Sequence, residues 1–317
     1  MAKVSLFEKK GGVKGRQNVS DFQVSSSDTL AQVLSKFQYC GFQASELAEG
    51  SRILREMKED QQCTVFLAFT ANMVASGLRG VFAQLVKSGF VDAVITTGGA
   101  VDHDVIKSFD PYLLGSFRED DVALHKAGTN RIGNVLVPNE RYVLLEKKLQ
   151  PVFKSVYSKK KTVSASELIS EVSSIIKDEN SFLFQCKKRN VPVFSPGLVD
   201  SALGLQLFFF RQDAPDFVLD EGADLKRMSR IIFDAKRTGA LICGGGISKH
   251  FTIASNILRG GLDYSVYLTT ATPFDGSLSG AEPKEAKSWG KITEKAKTVT
   301  IYGDATITLP LLAAGVL

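Results

Sequence analysis

Residues 64–77 read TVFLAFTANMVASG. From Thr64 to Phe69 nearly every side chain is apolar or β-branched, with no polar residue at alternate positions. A strand with one face in water would alternate, so this run fits a strand covered on both faces. The small and polar residues that follow give way to a helical pattern from Asn72 to Lys87. The same unit recurs at Ala93 to Thr97 (AVITT), Val191 to Phe194 (VPVF), Ala240 to Cys243 (ALIC), Tyr264 to Thr270 (YSVYLTT) and Thr298 to Tyr302 (TVTIY). Helical stretches are expected at Ala165 to Lys177 and Asp224 to Arg237. Strand–helix alternation predicts an α/β fold with a mostly parallel sheet flanked by helices.

In open parallel sheets, ligands bind beyond the carboxyl ends of the strands. Here those ends read TANMVASG, TTGGAVDHD, SPGLVD, GGGISKH, TTATPFDGS and GDAT. Glycine, serine, threonine and aspartate let a ligand approach backbone amides closely, which points to a nucleotide-type ligand. Neither GxGxxG nor GxxxxGK[ST] occurs, so a standard dinucleotide or P-loop fingerprint is absent.

Of 317 residues, 44% are hydrophobic and 23% charged, which excludes disorder, collagen and a coiled coil as the main architecture. No apolar run approaches the ~20 residues needed to cross a bilayer. The opening MAKVSLFEKKGG has no hydrophobic signal core, so a cytoplasmic, membrane-free protein is expected. A polar arm is expected over residues 1–25 and a single domain over 26–317. Cys40, Cys63, Cys186 and Cys243 are far apart and are read as free thiols. His103, His125 and His250 are too scattered for a metal cluster, so no metal is expected. The net charge of +5 is mild. The basic run Lys159, Lys160 and Lys161 lacks the interleaved aromatics of a nucleic-acid groove and is read as a solvated loop.

Two residues stand out chemically. His250 follows the glycine turn in GGGISKH, where a histidine serves as a general base or, more blandly, as a polar cap. Lys291 follows Trp289, the only tryptophan. Glu285 and Trp289 share a face if the stretch is helical, and an indole beside a carboxylate receives an amine cation well. An amine nucleophile must be neutral. Lowering an ordinary lysine pKa by ~3 units costs roughly 4 kcal/mol, which an apolar or cationic pocket supplies. Asp102, Asp104, Asp200, Asp275 and Asp304 fall at or just after strand ends. Together they predict a negative field in the cleft and a cationic substrate.

From about Thr29 to Leu317 the chain resembles deoxyhypusine synthases. The resemblance is carried by GFQASELAEG, FTANMVASGLRG, ITTGGAVDHDVIKSF, RIGNVLVPNERY, VPVFSPGLVDSALG, GALICGGGISKH, DYSVYLTTATPFDGSLSGAEPKEAKSWGKI and IYGDATITLPLLAA, in that order. It implies a Rossmann-like fold, bound NAD, and a homotetramer with active sites between subunits. It implies that the aminobutyl part of spermidine passes through an imine on an enzyme lysine to one lysine of the translation initiation factor 5A precursor. Carried over by motif, Lys291 is the imine-forming lysine and His250 the catalytic histidine. Asp200, Glu285, Trp289 and His103 fall to the amine pocket. Asn72, Ser76, Gly77, Thr97, Gly98, Gly99, Asp102, Gly245, Gly246, Thr270, Ala271, Asp275, Asp304 and Ala305 fall to the NAD site.

The chain departs from eukaryotic members, which carry an aspartate at Leu278, an acidic residue at His103, a histidine at Phe251 and an asparagine at Ala254. The first two changes resemble archaeal members. The departures leave two alternatives: a homospermidine-forming aminobutyl transferase acting on putrescine, and a non-catalytic NAD-binding paralogue.

Overall fold

Each of the six apolar runs forms a strand, in a computed structural model that describes residues 17–317. The first sixteen residues of the arm expected over 1–25 lie outside the described part. The strands are β1 (Cys63–Ala68), β2 (Ala93–Ile95), β3 (Val193–Phe194), β4 (Arg237–Cys243), β5 (Leu262–Thr269) and β6 (Ile292–Tyr302). They form one parallel sheet in the order β6-β5-β4-β1-β2-β3. Side chains of β1 divide between two cores: Val65 and Leu67 pack on one face, Phe66 and Ala68 on the other. That two-sided burial is why the run shows no polar alternation.

The order places the site. Strands β1 to β3 step one way across the sheet, and β4 to β6 step the other way from the far side of β1. The reversal falls between β1 and β4, where the connections leave in opposite directions and open a crevice at the carboxyl ends.

The expected helix from Asn72 to Lys87 is two helices, α1 (Ala71–Ser76) and α2 (Arg79–Lys87). Gly77 interrupts them in the left-handed region at φ 114°, its N–H capping the Met73 carbonyl. The break turns Arg79 inward, where it pairs with Asp104 and lies 2.6 Å from Asp178. Asp104 belongs to α3 (Gly98–Lys107) and also accepts from Ser181 Oγ and the Leu183 amide. Its carboxylate is thus fully employed in tying α2 and α3 to the helix Phe182–Arg189.

Some short elements have no counterpart in the sequence reading. A three-stranded antiparallel sheet joins Leu113–Leu114, Thr129–Ile132 and Val135–Pro138, and Thr162–Val163 pairs with Val218–Leu219. Lys159, Lys160 and Lys161 sit exposed and pair with Glu171, Glu167 and Asp216 respectively. Among the described residues no helix is long and apolar enough to cross a membrane. The four cysteines are free thiols.

Candidate active site

The crevice between β1 and β4 is built on glycines. Gly244 and Gly246 hold φ of +83° and +65°, and helix α4 (Gly246–Ser255) starts directly after the turn. A Cβ on Gly244 would stand 3.2 Å from Met73 and 3.4 Å from Thr70 Oγ1, so the turn passes close under the β1 end. The result is a cleft of about 300 Å³ at the ends of β1, β4, β5 and β6. Asn72, Ser76, Gly245, Thr270, Ala271, Asp304 and Ala305 line it. Asp304 caps α5 (Ala305–Ala314) through one oxygen, Oδ1, which accepts from both the amide and the hydroxyl of Thr306 at 2.7 Å. Its other oxygen accepts no hydrogen bond among the described residues and can accept from a ligand.

On the β2 side, glycines serve close packing. A Cβ on Gly98 would sit 2.5 Å from Ser201 Cβ, and one on Gly99 would sit 3.1 Å from Ala71 Cβ. Thr97 Oγ1 beside them is buried without a hydrogen-bond partner among the described residues.

A second, smaller cavity of about 170 Å³ lies under the stretch 276–291. Lys291, Trp289 and Glu285 line it together with Lys249, Tyr267, Leu278 and Glu282. The short helix Pro283–Ser288 brings Glu285 round to the Trp289 side. The Lys291 ammonium lies 5.1 Å from the Trp289 ring centroid, within cation–π range. Tyr302 donates to Glu282 at 2.8 Å and orients that carboxylate. An amine, two carboxylates, an indole and an apolar Leu278 wall can hold an aliphatic polyamine and offer it a nucleophile.

The cleft and the lysine cavity share a boundary. Ser279 lines the cleft while Leu278 and Ala281 line the cavity, so one loop forms a wall of both. A Cβ on Gly245 would meet Ser279 Cα at 2.5 Å, which shows how closely loop and turn pack.

Other expected site residues lie elsewhere. Asp102 is buried on α3, accepting from the Ala202 and Leu203 amides at 2.7 and 2.9 Å. It caps the helix Ala202–Asp213, and burial pushes its carboxyl up to about 7. His103 is also buried, its Nδ1 2.7 Å from the Tyr112 hydroxyl, and burial brings it down to about 4. Neither side chain lines the cleft or the cavity. His250 is exposed on α4 and lines neither. Asp200 is exposed in a separate groove of about 1080 Å³ with Val199, Leu205 and Phe208. Asp275 is exposed and accepts from the Ser277 amide, while Gly77 is spent on its cap. Of the five aspartates expected to charge the cleft, only Asp304 lines it.

Sequence reasoning passed over Thr70, Met73 and Thr306 in the cleft, and Lys249, Tyr267 and Glu282 in the cavity. Lys249 could have been found from helical spacing: it stands four residues before buried Ile253, on the inward face, whereas His250 is turned off that face.

A model of the deoxyhypusine synthase family matches residues 32–316. A protein of Ignicoccus hospitalis named "Probable deoxyhypusine synthase" is 45% identical over 311 residues, covering 95% of this chain and 96% of that one. A protein of the same name from Picrophilus torridus is 43% identical over 301 residues, covering 94% and 96%. A crystal structure assigned to a deoxyhypusine synthase from Entamoeba histolytica has the same fold, with a TM-score of 0.69 at 21% identity over 94% of this chain and 96% of that one. A parallel sheet with a glycine-built crevice at its reversal point, a lysine cavity against that crevice and a match along nearly the whole length lead to one conclusion: the chain belongs to the deoxyhypusine synthase family.

Proposed function

We propose that the chain uses NAD to transfer the aminobutyl group of spermidine, through an imine on Lys291, to a lysine of the translation initiation factor 5A precursor. The observation that carries this reading is the shared wall. The amine of Lys291 and the glycine crevice are separated by one loop, so a cofactor in the crevice and a polyamine beside Lys291 would lie side by side.

The cleft suits a dinucleotide. Gly245 and Gly246 open onto the amino end of a ten-residue helix, where free amides favour a phosphate. Asp304 suits a ribose hydroxyl, and Thr270 and Asn72 add polar partners. When bound, NAD supplies reversible two-electron oxidation of the amine carbon, so the complete transfer has no net redox change.

This chain's residues then account for the group transfer. Glu282 and Glu285 hold the ammonium groups of spermidine, and Trp289 offers its indole face to a cation. The Lys291 amine attacks the imine carbon of the oxidised donor. Its C–N bond forms as the bond to 1,3-diaminopropane breaks, and that leaving amine takes a proton. The acceptor lysine displaces Lys291 by the same exchange. Leu278 lines the cavity with hydrocarbon and limits water that would hydrolyse the imine.

A homotetramer with sites between subunits belongs to the same reading. Asp200 and His250 lie outside the Lys291 cavity of their own chain, and Val199, Leu205 and Phe208 beside Asp200 are each more than half exposed. A partner covering that groove would bury the apolar side chains and bring further polar groups to the cavity mouth.

Spermidine labelled in its butyl portion tests the function. Offered NAD with both the factor 5A precursor and putrescine, the enzyme should place label in the protein and release unlabelled 1,3-diaminopropane. Label appearing in a small amine would mean homospermidine formation, and absence of diaminopropane would mean a non-catalytic chain.

A further inference from the structure

Lys249 is 1% exposed, an unusual position for a lysine. Its ammonium donates to the Ala281 carbonyl at 2.6 Å and lies 4.3 Å from the Tyr267 ring centroid. An ammonium has three donors, and among the described residues this is its one hydrogen bond. Lys249 lines the same cavity as Lys291. Burial brings it down to about 8, opposed by the attraction of Glu285. Holding a lysine there is costly, and a methionine of similar reach would fill the space without that cost.

The contact made by the ammonium explains its place. Lys249 stands on α4, which begins at the glycine turn, and Ala281 ends the loop that walls both cavities. Among the described residues the loop accepts one other hydrogen bond from the sheet, from Thr269 Oγ1 to the Ser279 carbonyl at 3.1 Å. Directly after Ala281 come Glu282, Glu285, Trp289 and Lys291. The Lys249–Ala281 bond therefore sets where this whole segment starts relative to the crevice.

We propose that Lys249 is a positioning residue for Lys291: a buried clasp that holds the 276–281 loop on the crevice helix and keeps the amine, the carboxylates and the crevice in register. The inference rests on the function proposed above. It assigns Lys249 no contact with reacting atoms.

Three substitutions test it, each read by melting temperature, dinucleotide affinity, and the rate and spermidine dependence of borohydride-trapped adduct at Lys291. Lys249→Met keeps the volume and removes donor and charge. It should lower the maximal trapping rate at least about 20-fold, with the spermidine concentration for half-maximal rate changed less than threefold. Lys249→Gln keeps a donor for Ala281 and should recover at least a fifth of the wild-type rate. Lys249→Ala, lacking both reach and donor, should be as slow as Lys249→Met. Hydrogen exchange over 276–282 should be accelerated in the Met variant and near wild type in the Gln variant. A residue needed only for packing would leave Met near wild type. A Met variant with more than half the wild-type rate, or a folded Gln variant as slow as Met, overturns the proposal. Should Met not fold, the Gln variant decides through its trapping rate and loop exchange. Failure of the wild type itself to form adduct would instead defeat the underlying function.

Discussion

Lys291→Ala should lower aminobutyl transfer by at least about a thousandfold, as removal of a covalent nucleophile does in other enzymes. Lys291→Arg should be equally inactive, because a guanidinium keeps the cation but is not deprotonated in proteins. Both variants should fold normally, since the side chain is only partly buried and makes no side-chain hydrogen bond among the described residues. Lys291 lines the smaller cavity and not the cleft, so dinucleotide affinity should stay within about threefold of wild type. Transfer assays with the labelled donor, beside calorimetric dinucleotide titration, check both halves. Substantial transfer by either variant contradicts the assigned role. Equal loss of transfer and dinucleotide binding would mean that the residue supports the fold.

Gly245→Ala should have the other large effect, and on both cavities at once. The added methyl would fall 2.5 Å from Ser279 Cα, a backbone atom that no rotamer change moves aside. The loop must shift, weakening the Thr269–Ser279 and Lys249–Ala281 bonds that seat it. Dinucleotide affinity should fall at least about 30-fold, equivalent to about 2 kcal/mol, and adduct formation at Lys291 should fall with it. Gly246→Ala is the informative contrast. Its φ of +65° strains any residue with a Cβ, but nothing lies within 4 Å of the added atom. That variant should lose about 1–2 kcal/mol of stability and much less binding. A Gly245→Ala protein that binds dinucleotide like wild type would show that the tight loop–turn contact is not what shapes the site.

The sheet was legible in the sequence because its strands are buried on both faces, which leaves an apolar signature that no turn or surface helix imitates. The crevice was legible because the backbone there needs glycine: Gly244 and Gly246 have positive φ, and Gly245 has no room for a Cβ. The short strands at 113–138 were not legible, since elements of two to four residues are too brief for periodicity to register. Asp102 and Asp104 misled for a different reason. Aspartates after a strand read alike whether they face a ligand or the chain itself, and helix α3 is buried all round, so no polar face marks their direction. Asp102 turns to cap one helix and Asp104 to hold Arg79, leaving the cleft less acidic than its flanking sequence suggests. Lys249 was overlooked because a lysine is assumed to be at the surface. Its helical register with Ile253 says otherwise.

The central claim, that the Lys291 amine carries the four-carbon unit, is tested most directly by borohydride reduction of the enzyme mixed with NAD and spermidine, without acceptor, followed by peptide mass mapping. The account predicts a reduced aminobutyl adduct on Lys291, dependent on both small molecules and lost when the factor 5A precursor is added before reduction. An adduct on another lysine, or none while 1,3-diaminopropane is still released, would contradict it.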